Sequence, residues 1–176
     1  MNMERAVATL EIPAVCMVLL VGASGAGKST FARQHFGTYE VVSSDTCRAI
    51  IVDDPSDQSI TPKAFRLARY IARLRLAAGR LVVIDATNVQ SSSRARMLGV
   101  AATHHVPAIA VVFDLPATDC IAQNRTRLDR HVTEEVILAQ VRDLCESLPL
   151  ISGEGFQEVV VLRSGEEAAE LTVSRS

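Results

Sequence analysis

The sequence predicts an α/β fold, in which helices cover both faces of a parallel sheet, and two observations support this prediction. Five short runs rich in Val, Ile and Leu alternate with helical segments, as in sheets buried on both sides. The chain has 176 residues, 48% of them hydrophobic, which is enough for one sizeable core and favours one domain over two. We therefore expect a single domain over residues 1–176.

The predicted elements follow in order along the chain. The apolar runs predict strands at residues 15–21, 40–42, 81–85, 108–115 and 159–162. The clearest predicted helix spans residues 62–78, with Thr61 as its N-cap, Pro62 at the first helical position and Gly79 as the stop. A second helix is predicted over residues 134–148, directly after an arginine-rich segment.

Composition excludes several classes of protein. The formal net charge is -2, so no overall positive field would attract nucleic acid or a membrane, and any contact with a polyanion must be local. The four cysteines lack C-x-x-C spacing, which indicates buried thiols rather than a zinc site or a disulfide framework. The longest apolar run is too short to cross a bilayer. We expect a cytoplasmic protein with no membrane partner.

The strongest motif is Gly22-Ala-Ser-Gly-Ala-Gly-Lys-Ser29, a P-loop pattern placed between a predicted strand and a predicted helix. Backbone N–H groups of such a loop point at phosphate oxygens, and the lysine reaches the β and γ phosphates. The serine hydroxyl is a ligand for Mg²⁺. We expect ATP or another nucleoside triphosphate to contact Gly22, Ser24, Gly25, Ala26, Gly27, Lys28, Ser29 and Thr30.

Asp45 and Arg48 follow the second predicted strand and are candidates for the acceptor side of a phosphoryl transfer. Three residues apart on a starting helix, they share a face, near the expected γ-phosphate. A carboxylate there accepts the proton of an attacking hydroxyl, and an arginine grips an anionic acceptor. The alternative is that Ser44 or Asp45 caps the helix and that Arg48 is a solvated side chain.

Asp85 ends the run at residues 81–85, which is the position of a carboxylate that holds Mg²⁺ or its water ligands. The alternative is a turn residue at the end of a strand. Arg94, just inside the following helix, is a candidate contact for the acceptor, although surface arginines are more often merely solvated.

Arg125, Arg127 and Arg130 form a third cluster, within a predicted lid over approximately residues 123–150. A lid arginine neutralises charge on the transferring phosphoryl group, so we expect these three to bind ATP and Arg127 to be catalytic. The alternative is a solvated charged face. Beside a P-loop, the lid is the better interpretation.

Together the motifs resemble the kinase module of the bacterial RNA-repair polynucleotide kinase-phosphatase. The segments that carry the resemblance are Gly22-Ala-Ser-Gly-Ala-Gly-Lys-Ser-Thr-Phe31, Val42-Ser-Ser-Asp-Thr-Cys-Arg48, Asp53-Asp-Pro-Ser-Asp-Gln58, Val83-Ile-Asp-Ala-Thr-Asn-Val-Gln90, Asp129-Arg-His-Val132 and Glu154-Gly-Phe156. The resemblance implies a nucleotide-kinase-like P-loop fold with a helical lid. It also implies phosphorylation of a 5′-hydroxyl end of RNA or DNA by ATP and Mg²⁺.

By this resemblance Asp45 is the general base, Arg48 and Gln58 hold the acceptor phosphate, and Arg127 contacts ATP. The resemblance also implies a phosphatase module or another RNA-repair protein as partner. One departure is Gln123, which stands where the family's first lid arginine would be; Arg125 is the candidate to replace it.

Two other functions remain open at this point. A P-loop kinase of a small or nucleotide-sugar acceptor, similar to the zeta toxins, also places an aspartate after its second strand, and the net charge of -2 favours a small acceptor mildly. A nucleotide-binding switch or chaperone is the third class. It needs neither an acceptor carboxylate nor arginines in a lid.

Overall fold

The computed structural model describes residues 9–128 and 132–176. Their elements, in chain order, are β1 (Thr9–Ile12), β2 (Met17–Gly22), α1 (Lys28–His35), β3 (Val41–Ser43), α2 (Ser44–Val52), α3 (Thr61–Ala77), β4 (Val82–Asp85), α4 (Ser91–Thr103), β5 (Ala108–Phe113), α5 (Ala117–Arg125), α6 (Glu134–Ser147), β6 (Glu158–Leu162), α7 (Gly165–Glu170) and β7 (Thr172–Arg175). Two 3₁₀ turns, Gln58–Ile60 and Leu148–Gly153, precede α3 and follow α6.

The main sheet has five parallel strands in the order β3-β4-β2-β5-β6. Every residue of β2, β4 and β5 is buried, because these strands are apolar almost throughout and lie inside the sheet with helices on both faces. This architecture confirms the predicted α/β fold.

The register of the sheet brings three strand ends to one edge. Leu20 of β2 pairs with Asp85 of β4, and Ser43 of β3 pairs with the same Asp85. The chain crosses from β2 to β3 on one side of the sheet and later returns to β5 on the other side. A crevice opens where the strand order reverses in this way, at the carboxyl ends of the strands.

The core consists of two apolar layers, one on each face of the sheet. Met17, Leu19 and Val21 point to the layer that α3, α4 and the end of α6 cover. Val18 and Leu20 point to the opposite layer, which α1, α5 and α6 cover. The alternation follows from the two-residue period of a strand, which turns successive side chains to opposite faces.

Several predicted boundaries are corrected. All five main strands occur, with ends shifted by at most two residues. Thr61 is the first residue of α3 and not its N-cap, because the turn at Gln58–Ile60 supplies Ile60 at the cap position. Gly79 follows the helix with φ +66°, as its predicted role requires. Cys145 is exposed, whereas the other three cysteines are buried as expected.

A small parallel sheet of β1 and β7 was not predicted from the sequence. Arg175 of β7 donates two hydrogen bonds, of 2.8 and 2.6 Å, to the two carboxylate oxygens of Glu40, just before β3. Each strand has four residues, and their partners lie at opposite ends of the chain. In the described ranges, no helix combines the length and the apolar character needed to cross a membrane.

Candidate active site

The loop from Gly22 to Gly27 joins β2 to α1 and has the strand before it and the helix after it that the motif requires. Gly25 and Gly27 have φ of +82° and +91°, in the left-handed region that favours glycine. A Cβ atom on Gly25 would lie 2.1 Å from the carbonyl oxygen of Cys120, so a side chain cannot fit there. The sequence therefore folds into a tight loop that packs against α5.

Lys28 is the first residue of α1, and its side chain is held over the loop. Its Nζ donates to the carbonyl oxygens of Gly22 at 2.9 Å and Ala23 at 2.7 Å. Only 7% of the residue is exposed, so its charge acts in a partly desolvated environment. The lysine and the amino end of α1 together favour an anion at the loop. Burial raises the pKa of the nearby Cys120 thiol, although the Lys28 charge opposes this.

Ser29 and Asp85 meet beside the loop. The Ser29 hydroxyl donates a hydrogen bond of 2.7 Å to Oδ2 of Asp85, which ends β4 next to β2. Among the residues that the structure describes, no group of three or more His, Cys, Asp or Glu side chains could hold a metal. A hydroxyl and one carboxylate still fit Mg²⁺, which commonly takes one or two protein ligands and completes its shell with phosphate and water.

These residues lie in a polar cleft of about 490 Å³, which we call the central cleft. It extends from the P-loop across the carboxyl end of the sheet to α2, α3 and α5. Its walls include most of the predicted site residues: Ser24, Gly25, Gly27, Lys28, Ser29, Thr30, Asp45, Arg48, Gln58, Asp85 and Arg127. Gly22 and Ala26 belong to the same loop, but their atoms do not line the cleft.

Asp45 and Arg48 form an ion pair in the wall of the cleft, as their spacing on the helix predicts. Arg48 is only 3% exposed, and its Nε also donates to the carbonyl oxygen of Pro55 at 2.8 Å. Oδ2 of Asp45 lies 3.9 Å from a guanidinium nitrogen of Arg127. One carboxylate therefore faces two arginines, one from α2 and one from the segment after α5.

The alternative interpretation of this segment as a cap is wrong in its details. Ser43 is the N-cap of α2, and its hydroxyl accepts hydrogen bonds from the N–H groups of Asp45 and Thr46 at 3.2 and 3.5 Å. The Asp45 carboxylate is thus not needed as a cap. Arg48 is not solvated either.

Gln58 begins the 3₁₀ turn that leads into α3, and it lines the cleft opposite the P-loop. Asp57 caps this turn by accepting from the N–H of Ser59 at 2.8 Å. The bond with Ser59 lowers the pKa of the Asp57 carboxyl. The polar loop of residues 53–57 therefore leads the chain to Gln58 in the wall of the central cleft.

Arg94 is corrected: the structure does not support the predicted acceptor contact. Its side chain is fully buried and pairs with Glu154 through hydrogen bonds of 2.7 and 2.6 Å. It also donates to the carbonyl oxygens of Asn88 and Val89 and to the hydroxyls of Ser91 and Ser147. These bonds join α4 to the end of α6 and the turn after it, outside the central cleft. Burial is the largest single effect on the Glu154 carboxyl and raises its pKa, but the hydrogen bonds from Arg94 and Ser91 and the charge of Arg94 together lower the pKa below its ordinary value.

The arginine cluster divides in the structure. Arg127 lines the central cleft, whereas Arg125 points away from it, is 69% exposed and pairs with Glu134. Arg125 therefore does not occupy the place of the missing arginine at Gln123. Gln123 itself lines the cleft. Arg130, like Asp129 and His131, lies outside the described residues.

Gln140 is a cleft residue that sequence reasoning missed. It projects from α6, and its Oε1 accepts a hydrogen bond of 2.8 Å from the backbone N–H of Ser24 in the P-loop. No sequence motif marks it, because glutamine is common on exposed helix faces. Only the packing of α6 against the P-loop identifies Gln140 as a cleft residue.

Comparison with known proteins places this geometry in a family. A family model described as an AAA domain matches residues 17–149. No curated protein shows significant sequence similarity to the chain.

Solved structures share the fold at low sequence identity. A chain of the Pnkp1/Rnl/Hen1 RNA repair complex superposes with a TM-score of 0.67 at 23% identity, over 78% of this chain and 46% of that one. The Mycobacterium tuberculosis APS kinase CysC, in complex with AMPPNP and APS, gives 0.57 and 21% over 90% and 96%. A gluconokinase from Sinorhizobium meliloti 1021 gives 0.56 and 17% over 90% and 88%. This chain thus spans about half the length of the RNA-repair chain.

Proposed function

We propose that this chain transfers the γ-phosphate of ATP to the 5′-hydroxyl end of RNA or DNA. The chain belongs to the AAA domain family, whose model matches residues 17–149, and it has the fold of P-loop kinases. The family and the fold support a nucleotide-binding P-loop kinase. The polynucleotide acceptor goes one step further. It draws on the motif resemblance and on the RNA repair complex among the structural neighbours.

The observation that carries the proposal is that donor and acceptor groups share one cleft. Lys28 and the pair Ser29 and Asp85 stand at the P-loop end, and Asp45 with Arg48 stands opposite. A nucleotide-binding switch would need only the first half. The carboxylate of Asp45, facing the place where a γ-phosphate would end, supports transfer to an acceptor hydroxyl.

In the proposed reaction the 5′-hydroxyl oxygen forms a bond to the γ-phosphorus while Asp45 accepts the hydroxyl proton. The bond between the γ-phosphorus and the β,γ-bridging oxygen breaks, and ADP leaves. Lys28 and Arg127 hold the charge that builds up on the phosphoryl oxygens. The product is a 5′-phosphate end, and the proton leaves Asp45 for solvent.

Ser29 and Asp85 are the residues that would hold Mg²⁺, since their oxygens lie side by side at the phosphate end of the cleft. When bound, the ion neutralises charge on the β and γ phosphates. The remaining predicted P-loop contacts, from Gly22 to Thr30, bind and orient ATP through backbone N–H groups.

Arg48 and Gln58 are proposed to bind the phosphate that follows the first nucleoside of the acceptor. Arg48 is rigid because the Pro55 carbonyl and Asp45 both fix its guanidinium. We also propose that the chain is one kinase domain, with residues 123–150 as its lid and Arg127 as the lid arginine. A phosphatase module or another RNA-repair protein is the proposed partner.

A second candidate is a P-loop kinase with a small or nucleotide-sugar acceptor. The net charge of -2 favours it, because proteins that track along nucleic acid are usually basic. An enzyme that acts only at a strand end needs few phosphate contacts, so the charge fits both candidates. The acceptor assay separates them.

The test supplies radiolabelled ATP with 5′-hydroxyl RNA, 5′-hydroxyl DNA, a nucleoside 3′-monophosphate, a nucleoside and a sugar. Label on the oligonucleotides that a phosphatase removes would support the proposal. Lys28→Ala should lower transfer by at least about a hundredfold, because it removes a preorganised charge from the phosphates. Transfer to the sugar or nucleoside but to neither oligonucleotide would favour the second candidate.

A further inference from the structure

Helix α3 carries an exposed cluster of positive charge outside the central cleft. Its residues Lys63, Arg66, Arg69 and Arg73 line a second groove of about 620 Å³, and Tyr70 lies among them. At 100° per residue these positions fall within about a third of the helix circumference. We call this surface the α3 basic face.

The α3 basic face concentrates positive charge on one helix. Helix α3 contains no Asp or Glu over its 17 residues. Within residues 9–128 and 132–176, no carboxylate forms an ion pair with its four cations. The pKa of Arg69 is lowered, first by burial and then by the positive charges of Arg96, Arg73 and Arg66. The protein therefore keeps like charges together although its net charge is -2.

The α3 basic face starts where the central cleft ends. Thr61 and Phe65, in the first turns of α3, line the central cleft, while Lys63 and Arg66 in the same turns line the second groove. The face then continues along the helix for about 15 Å from Lys63 to Arg73, at 1.5 Å per residue. A polymer of anions that leaves the cleft over the start of α3 would contact these cations one after another.

We propose that the α3 basic face binds the backbone phosphates of a single-stranded polynucleotide acceptor beyond its first nucleotide, an inference that rests on the kinase activity proposed above. The cations would neutralise phosphates with little dependence on sequence. Tyr70, which is 59% exposed among arginines, offers a ring on which a base can stack. The α3 basic face is therefore a local positive surface on a protein whose net charge is negative.

A nucleic acid suits this face better than a membrane does. The apolar stripe of α3, Ala64, Ala68, Ala72 and Leu76, is buried against the sheet and cannot insert into lipid. Cations in a row with an exposed ring match the combination of electrostatic groove and stacking platform that single-strand binders use.

The test variant is Arg66→Gln/Arg73→Gln. The control variant, Arg80→Gln/Arg142→Gln, loses the same charge at two exposed positions that do not line the groove. With a 5′-hydroxyl strand of about 12 nucleotides, the α3 variant should raise KM roughly tenfold at low salt. Its KM for a nucleoside 3′-monophosphate should change less than about twofold, because that acceptor ends inside the cleft. The slope of log kcat/KM against log salt should become shallower by about 1.4, or 0.7 for each lost contact.

Direct binding separates this inference from the kinase proposal. Fluorescence anisotropy with a labelled strand of the same length needs no turnover, and Arg66→Lys/Arg73→Lys should restore binding that the glutamine variant loses. If wild type binds strands through this face but phosphorylates none, the binding inference is supported and the kinase proposal fails. If glutamine and control variants bind and react alike, the inference is wrong and the kinase proposal is unaffected. Weaker binding of the glutamine variant to phosphatidylserine vesicles, with strand binding unchanged, would overturn the inference in favour of a membrane surface.

Discussion

Replacing Asp45 with asparagine tests whether this carboxylate is the proton acceptor of the reaction or only the ion-pair partner of Arg48. The substitution preserves shape and removes one negative charge. The hydroxyl of Ser43, and not Asp45, caps helix α2, so the helix keeps its N-cap. Asparagine Oδ1 can still accept a hydrogen bond from Arg48, whose Nε keeps its bond to Pro55. The fold should therefore survive.

The expected kinetic effect is large. A positioned general base contributes about 10² to 10⁴ in rate, which corresponds to about 3–5 kcal/mol in activation free energy. Asp45→Asn should lower kcat by this factor at saturating ATP and acceptor. The loss should be similar for an oligonucleotide and for a nucleoside 3′-monophosphate, because the proton is the same in both.

The expected change in stability is smaller and independent of the kinetics. Arg48 is 3% exposed, and Asp45→Asn leaves this buried guanidinium with a neutral acceptor in place of a carboxylate. Exchanging a charge-assisted hydrogen bond for a neutral one should lower the free energy of unfolding by about 1–2 kcal/mol. Urea denaturation measures this loss, and kinetics are run well below the melting temperature.

Asp54→Asn is the matched control. It makes the same chemical change in the polar loop, where the Asp54 carboxylate accepts from the Ser56 N–H at 2.8 Å outside the central cleft. Its kcat should stay within about twofold of wild type. Retention of more than a third of the wild-type kcat by folded Asp45→Asn would refute the general-base assignment.

Three further predictions follow from other contacts. Arg127→Ala should slow phosphoryl transfer by about a thousandfold in single-turnover assays. The control is Arg125→Ala, outside the cleft, which should transfer at a rate near that of wild type. Equal effects of the two substitutions would refute the assignment of Arg127 as the lid arginine. Arg94→Met should lower the free energy of unfolding, measured in urea, by about 3–5 kcal/mol, because it removes the donor to the partly buried Glu154 carboxylate and to the carbonyl oxygens of Asn88 and Val89. Acceptor KM should not change in the folded variant; an increased KM with unchanged stability would restore the acceptor role. The Arg175 hydrogen bond lowers the pKa of Glu40 below 4.5, so its contribution is present above that pH and is lost as pH falls through the folded value. Glu40→Gln should therefore lower the free energy of unfolding by about 0.5–1 kcal/mol at pH 7, measured in urea, and the difference from wild type should shrink as the pH falls below 4.5. A difference that stays constant as the pH falls would contradict this.

Features carried by neighbouring residues were predictable. The P-loop is contiguous, so its glycines, Lys28 and Ser29 were identified without any tertiary information. Asp45 and Arg48 were predictable as a pair because residues three apart on a helix share a face. The positions of the main strands followed from their apolar runs, although strand ends could not be set to the residue.

Features that join distant segments were not predictable. Arg94 has the same local sequence signal as a surface arginine, and only the approach of Glu154, 60 residues later, makes it a buried structural residue. Gln140 reaches the P-loop from 116 residues away. The pairing of β1 with β7 depends on two short strands at the ends of the chain. In each case the partner is decided by how helices and strands pack.

Local sequence was sufficient to establish the phosphate-binding loop, the parallel sheet and the carboxylate at the start of α2. These depend on backbone conformation and on hydrophobic periodicity, which neighbouring residues control. Tertiary packing assigned each arginine its place: Arg48 and Arg127 beside Asp45 in the cleft, Arg94 in the interior and Arg125 on the surface. An arginine carries the same charge everywhere in a sequence. Its role depends on which carboxylates and how much water the folded chain brings to it.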